Sequence, residues 1–191
     1  MEALAQQEAN FEPKRYTYSE YAAWEDDNRW ELINGVPRMM AAPFVSHQAV
    51  SGELYFQFKS FLKGKKCRVF YSPCDVRLNH KTRDDIVVQP DLLVVCDRNK
   101  IEDGKSVKGA PDLVIEILSA STSKFDKTTK FTLYKQAGVR EYWIVDPTDK
   151  TVGVYIFEQE NLGMRYYADS EKIPVHVLEG CEIDLSTVFE E

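Results

Sequence analysis

Apolar residues recur at every fourth position through Val50, Leu54, Phe58 and Leu62, which predicts one long helix over residues 46–62 with Ser46 as its cap. Ahead of it, residues 18–28 carry Tyr21, Ala22 and Trp24 at a spacing that suits a helix. Trp30-Glu31-Leu32-Ile33 then meets Asn34-Gly35, a dipeptide that favours a tight hairpin, and the chain returns through residues 36–40. Past the long helix the pattern shortens to strand-length apolar runs at 67–71, 75–78, 92–95, 113–118 and 141–146, the last stopped by Pro147. A hairpin is expected to pair 152–157 with 164–167 around the polar turn 158–163. A helix is expected over 124–137, with Ser121, Thr122 and Ser123 offering cap chemistry and Gly138 closing it. Strands outnumber helices and one strand–helix–strand crossover is present. The expected fold is therefore α/β, a mixed central β-sheet flanked by helices, with an additional β-hairpin region near each end.

Two strands open on Pro-Asp: Pro90-Asp91-Leu92-Leu93-Val94-Val95 and Pro111-Asp112-Leu113-Val114-Ile115-Glu116-Ile117-Leu118. Alternation along the second puts Asp112, Val114, Glu116 and Leu118 on one face and Leu113, Ile115 and Ile117 on the other. A fully apolar strand would carry Leu or Val where Glu116 stands. A buried carboxylate costs several kcal/mol unless a cation or a strong donor meets it. Asp91 supplies a second acid at the mouth of a neighbouring strand, and two acids brought together repel unless a divalent metal or a lysine lies between them. Such oxygen ligands suit Mg2+ or Mn2+ with several waters kept, and a metal so held activates water and offsets charge at a phosphoryl centre. No cation stands near Glu116 in the local sequence, because Leu118 lies two residues on.

Composition narrows the classes. The 191 residues suit one domain, and 43% hydrophobic with 29% charged residues is ordinary for a soluble globular chain. No apolar run reaches the length of a membrane span, and residues 1–13 form a polar leader without an apolar signal region, so a cytoplasmic protein without a membrane partner is expected. Net charge is −7, which argues against a nonspecific nucleic-acid coat but not against a local phosphate-contacting groove. Lys63, Lys65, Lys66 and Arg68 read as a solvated helix end. The four cysteines, Cys67, Cys74, Cys96 and Cys181, show no paired metal-ligand spacing and are expected as buried reduced thiols. There is no Gly-rich phosphate loop and no Gly-x-Ser-x-Gly elbow, and no organic cofactor is implied.

Pro-Asp, a gap, and then Glu in an apolar strand resembles the core of the PD-(D/E)XK nucleases, and within that superfamily the chain resembles the Uma family of restriction-endonuclease-like proteins. The resemblance runs from about Tyr16 to the C-terminus. Its markers are Glu31 before Ile33-Asn34-Gly35, His47, Val88-Gln89-Pro90-Asp91-Leu92, the Pro111–Ser119 stretch, Asp126, Lys130 and Gly138-Val139-Arg140-Glu141-Tyr142-Trp143. It implies a restriction-endonuclease-like fold over residues 14–191 and a Mg2+-dependent endonuclease, with Mn2+ able to substitute, acting on DNA and able to work as a homodimer. It also implies roles. Asp91 and Glu116 would hold the metal with the backbone carbonyl of Ile117, and Glu31 would assist. Lys130 would stand in for the motif lysine displaced by Leu118, with Lys127 as the backup. His47 reads more simply as a helix-start residue, Asp112 as a structural acid near the strand entrance, and Tyr142 and Trp143 as core or interface aromatics. The rival reading is a non-catalytic nuclease-like module that binds nucleic acid or a protein partner, to which the acidic charge and the displaced lysine both point.

Overall fold

The computed structural model describes residues 13–120, 122–159 and 163–190. Most of the leader expected over 1–13, the cap position Ser121 and residues 160–162 of the hairpin turn lie outside the described residues.

The chain opens with a one-turn helix, α1 (Tyr18–Tyr21), far shorter than the pattern over 18–28 predicts. Strands β1 (Trp30–Ile33) and β2 (Val36–Met39) form the expected hairpin, with Asn34 at φ 51° and Gly35 at φ 80°. Both central residues are left-handed, the twist a two-residue hairpin needs. At Gly35 a Cβ would also stand 2.9 Å from the Cβ of Arg15. Helix α2 (Val45–Leu62) follows, capped by the backbone of Phe44 rather than by Ser46, and it buries Val50, Leu54, Phe58 and Leu62 as their spacing requires. Then come β3 (Arg68–Tyr71), β4 (Val76–Arg77), β5 (Val87–Val88), β6 (Leu92–Val95), β7 (Val107–Lys108) and β8 (Leu113–Ile117). The crossover is α3 (Ser123–Phe125), a π-turn over Asp126–Lys130, and α4 (Phe131–Ala137), which ends on Gly138 at φ 89°. Strands β9 (Glu141–Asp146), β10 (Thr151–Ile156), β11 (Gly163–Ala168), β12 (Lys172–Pro174) and β13 (Glu182–Asp184) complete the chain. Among the described residues no helix is long and apolar enough to cross a membrane.

Among the described residues the strands form three sheets. A six-stranded sheet has the order β11-β10-β9-β8-β6-β3, and a five-stranded one the order β2-β1-β5-β4-β7. Strands β12 and β13 make a separate hairpin, so the mixed α/β class and the hairpin regions toward each end agree with the sequence pattern. In the larger sheet only β8 and β9 run parallel, because the α3–α4 crossover joins them.

Strand β8 is buried on both faces. Leu113, Ile115 and Ile117 pack into a core with Val50, Leu54 and Phe58 of α2 and with Trp143. Val114 and Leu118 pack on the other side with Leu133, Tyr134 and Tyr142. Each fully buried aliphatic side chain contributes about 1.5–3 kcal/mol by area, so α2 and the crossover clamp β8 from opposite sides. Glu116 points into the second of these cores.

The cysteines depart from expectation. Cys67 and Cys96 form a disulfide, while Cys74 and Cys181 are free. The antiparallel register pairs Arg68 with Val95, so the residues one step outward face each other, with Cα atoms 4.0 Å apart. Separated by 29 positions in sequence, they meet only through that register.

Candidate active site around a buried lysine

The crossover does not run as one regular helix. Between Asp126 and Lys130 it widens into a π-turn, and the amide of Phe131 bonds back to the carbonyl of Asp126. A four-residue step overshoots an α-turn and undershoots the wider π-turn, so passing through both keeps Asp126, Lys130 and Tyr134 on one line facing β8. Asp126 and Lys130, whose four-residue spacing alone suggests a surface ion pair, are instead buried at 2% and 3% exposure. Lys127, one residue into the turn, points outward and lies 3.9 Å from Asp146, so the backup lysine is not part of the cluster.

Lys130 fills the place of the missing cation. Its Nζ donates to Glu116 Oε1 at 2.9 Å and stands 2.9 Å from Glu31 Oε1, with Asp126 Oδ1 at 3.8 Å. Tyr134 donates its hydroxyl to the same Glu116 Oε1 at 2.5 Å. Glu31 is buried at 1% exposure and also accepts the backbone N–H of Gln89 at 3.0 Å. Its other oxygen, Oε2, is buried with no hydrogen-bond partner and has Arg38 Nη1 at 3.9 Å. Asp91 lies at the edge of this group. Its Oδ2 accepts the N–H of Ile117 at 2.8 Å and is 3.2 Å from His47 Nε2. The structure thus brings Glu31, Asp91, Glu116, Lys130 and the Ile117 backbone together from β1, the β6 entrance, β8 and the crossover.

The electrostatics follow from burial and from unequal numbers of charges. Burial drives the Glu116 carboxyl well above its ordinary range; Lys130 opposes that shift, and Asp126, Asp91 and Glu31 reinforce it. Asp126 is raised for the same first reason. Burial alone would lower the Lys130 ammonium, but Glu116, Glu31 and Asp126 together outweigh it and hold the proton on the amine. Burial likewise opposes a charged His47, yet the Asp91 carboxylate and the Ile117 carbonyl raise it. Burial lifts the Tyr134 phenol far above its usual range, with Glu116 adding to the effect, so Tyr134 serves as a donor. Four carboxyl groups are thus packed around one buried ammonium, and burial disfavours the ionised form at Glu116 and Asp126.

A cavity of about 360 Å³ opens onto these groups, lined also by Arg29, Arg38, Phe44, His47, Tyr71 and Thr122. A larger cavity of about 620 Å³, beside Leu78, His80 and Leu133, contains none of the predicted acids. The chemistry therefore singles out the smaller one. Arg29, His47 and Tyr134 are site residues that sequence patterning passes over or assigns to other work. His47 had a position in the right motif series but no partner until α2 set it against Asp91. Gln89, inside the Val88–Leu92 stretch, accepts from Arg29 Nε at 3.1 Å and so fixes a guanidinium at the cavity wall. Asp112 accepts the Cys96 N–H at 2.8 Å and pairs with Arg140 at 3.1 Å, a structural role at the strand entrance.

Among the described residues no three His, Cys, Asp or Glu groups converge closely enough to hold a metal by themselves. Two carboxylates with several retained waters is nevertheless an ordinary Mg2+ arrangement. The donor set fits it. All candidate ligands are hard oxygens, Glu31 carries a buried oxygen with no hydrogen-bond partner, and a divalent cation would favour the ionised form that burial disfavours at Glu116. Among the described residues the hydrogen bonds to Glu116 and Asp91 fall on Oε1 and Oδ2, so an ion would be met by their second oxygens.

Comparison with known proteins bears on the family and the fold. The family model Uma2, described as "Putative restriction endonuclease", matches residues 18–186. An uncharacterized protein, slr1290, from Synechocystis sp. (strain ATCC 27184 / PCC 6803 / Kazusa) is 29% identical over 141 residues, covering 71% of each chain. The crystal structure of "a putative nuclease belonging to DUF820" from Anabaena variabilis ATCC 29413 superposes with a TM-score of 0.72 at 23% identity, over 91% of this chain and 97% of that one. That likeness shows that the two share a fold.

Proposed function

The chain belongs to the Uma2 family, and from that premise we propose that it is a divalent-metal-dependent endonuclease hydrolysing phosphodiester bonds in DNA. Asp91 and Glu116, with the Ile117 carbonyl, would hold Mg2+, and Mn2+ would substitute. When bound, the metal supplies a more acidic water and positive charge at the phosphoryl group. The observation that carries the reading is Lys130, whose Nζ is held at 2.9 Å from both Glu116 and Glu31 beside Asp91. An ammonium has three N–H donors. Two are directed to these acids, and the third would orient a water or meet charge developing on a phosphate oxygen. Glu31 keeps the ammonium in place and in its charged form. Tyr134 fixes the Glu116 carboxylate, which leaves its second oxygen for the ion. His47 positions Asp91 and acts through it.

The test is calorimetric titration of Mn2+ or Mg2+ into the wild-type protein and into the Asp91→Ala, Glu116→Ala double variant, followed by cleavage assays. The expected result is binding of about one ion per wild-type chain, absent from the variant, and metal-dependent hydrolysis lost in Glu116→Gln. Full activity retained in Glu116→Gln would overturn the assignment. One observation favours the rival reading of a non-catalytic module: Lys130 already provides Glu116 with a counter-ion without any metal. That reading predicts partner binding unchanged in the double variant.

A further inference from the structure

Large exposed hydrophobic side chains are few among the described residues, and three of them, Met39, Phe44 and Tyr71, line the acid cavity. Phe44 is 73% exposed, Met39 61% and Tyr71 55%. Val45, at 87%, adjoins Phe44 in sequence. Residues 39–45 read Met-Met-Ala-Ala-Pro-Phe-Val, without a charge. Apolar groups this exposed at the entrance to a charged cavity mark a binding surface. The Tyr71 ring is braced edge-on by Tyr55 at 4.7 Å between centroids, so one side is supported while the rest stays accessible. Meanwhile the cations near the cavity are largely committed. Lys130 is held by the acids, Arg29 by Gln89 and Ser72, and Arg38 lies 3.7 Å over the Phe125 ring.

Duplex DNA is held largely by neutralising many backbone phosphates. This entrance offers few free cations for that, on a chain of net charge −7. Unpaired strands also need phosphate contacts, but they add the stacking of exposed base faces on aromatic rings, independently of sequence, which a closed duplex does not offer. We propose that Phe44 and Tyr71, with Met39 beside them, form a stacking platform for unpaired nucleobases, so that single-stranded nucleic acid is the substrate presented to Asp91 and Glu116. The proposal rests on the nuclease reading for the fate of the strand, but stacking can be measured without hydrolysis.

The experiment titrates the full-length protein, in EDTA, into 12-mer oligonucleotides carrying 2-aminopurine, as single-stranded DNA, single-stranded RNA and blunt duplex. Stacking quenches the probe. The expected result is quenching with single strands and affinity about tenfold or more above that for duplex. Phe44→Ala and Tyr71→Ala should each weaken single-strand binding by about tenfold, Phe44→Trp should restore it, and Phe56→Ala, at an exposed ring away from the cavity, should match wild type. The DNA and RNA arms identify which sugar the platform accepts. Equal affinity for duplex and single strand, no binding, or wild-type affinity in both alanine variants would each overturn the proposal. So would a dimer in sedimentation that Phe44→Ala dissolves, since a second copy would then be what covers these rings. Quenching without Mn2+-dependent cleavage would leave the platform standing and remove the hydrolase reading. Metal-dependent cleavage of duplex alone, with no single-strand preference in binding, would do the reverse.

Discussion

The two faces of β8 are equally buried and are built on different physics. On one face Leu113, Ile115 and Ile117 meet α2 through dispersion and water exclusion, which tolerate substitution by residues of similar volume. On the other, Glu116 interrupts an apolar surface and is tolerated because Lys130 and Tyr134 meet one of its oxygens. A mixture of burial and charge is usually no more stabilising than a well-packed apolar core, while removal of one partner is costly. The contrast teaches that the crossover face is organised around a particular charge arrangement, at some expense in stability.

Substitutions on the two faces should separate stability from chemistry. Lys130→Ala is expected to have the largest effect, because it strands Glu31, Glu116 and Asp126 without their cation. Chemical denaturation should show a loss of about 3–5 kcal/mol, and any folded remainder should lack hydrolytic activity. Glu116→Gln is expected to stay folded while cleavage falls by on the order of 10²-fold or more, read as a kcat change at saturating metal. Ile115→Ala, directly beside it on the opposite face, should cost about 2–5 kcal/mol and leave metal affinity per folded molecule unchanged. If Ile115→Ala and Glu116→Gln behave alike in both assays, the distinction between the faces fails.

The same contrast predicts a pH dependence. Glu116 and Asp126 are held above their ordinary values of 4.5 and 3.8 by burial. The folded state therefore keeps protons that the unfolded chain releases, and stability falls as pH rises from those values through the raised folded ones. His47 is also raised above its ordinary 6.5 by Asp91, so its contribution is complete below that pH and is lost as pH rises through the folded pKa. All three have the same sign. Urea denaturation from pH 5 to 8 should show falling stability, with a shallower slope in Glu116→Gln; an unchanged slope would remove Glu116 from the account. Lys127→Ala should have the smallest effect, within about 0.5 kcal/mol and without change in metal binding, since Lys127 lies on the outer surface near Asp146.

Local sequence determined the elements whose causes are local. The four-residue apolar repeat made α2, Asn34-Gly35 made the hairpin, Gly138 ended the crossover, and alternation assigned the faces of β8 correctly. A carboxylate in the middle of an apolar strand pointed to Glu116 for a reason that needs no fold: such a group must find a partner. The short pairings β5 and β7, two residues each, carry too little periodicity to be seen before their neighbours are in place. The Cys67–Cys96 bond depends on a strand register, and the His47–Asp91 contact on where α2 lies across the sheet. Asp126 and Lys130, four apart, look like an exposed helical pair until the π-turn and the packing of the crossover carry both inside. The sequence by itself therefore determined which side chains were chemically out of place, because burial and alternation act over a few residues. Only the tertiary structure decided which of them meet, because a charge is stabilised across space by partners that the chain brings from 14 to 99 positions away.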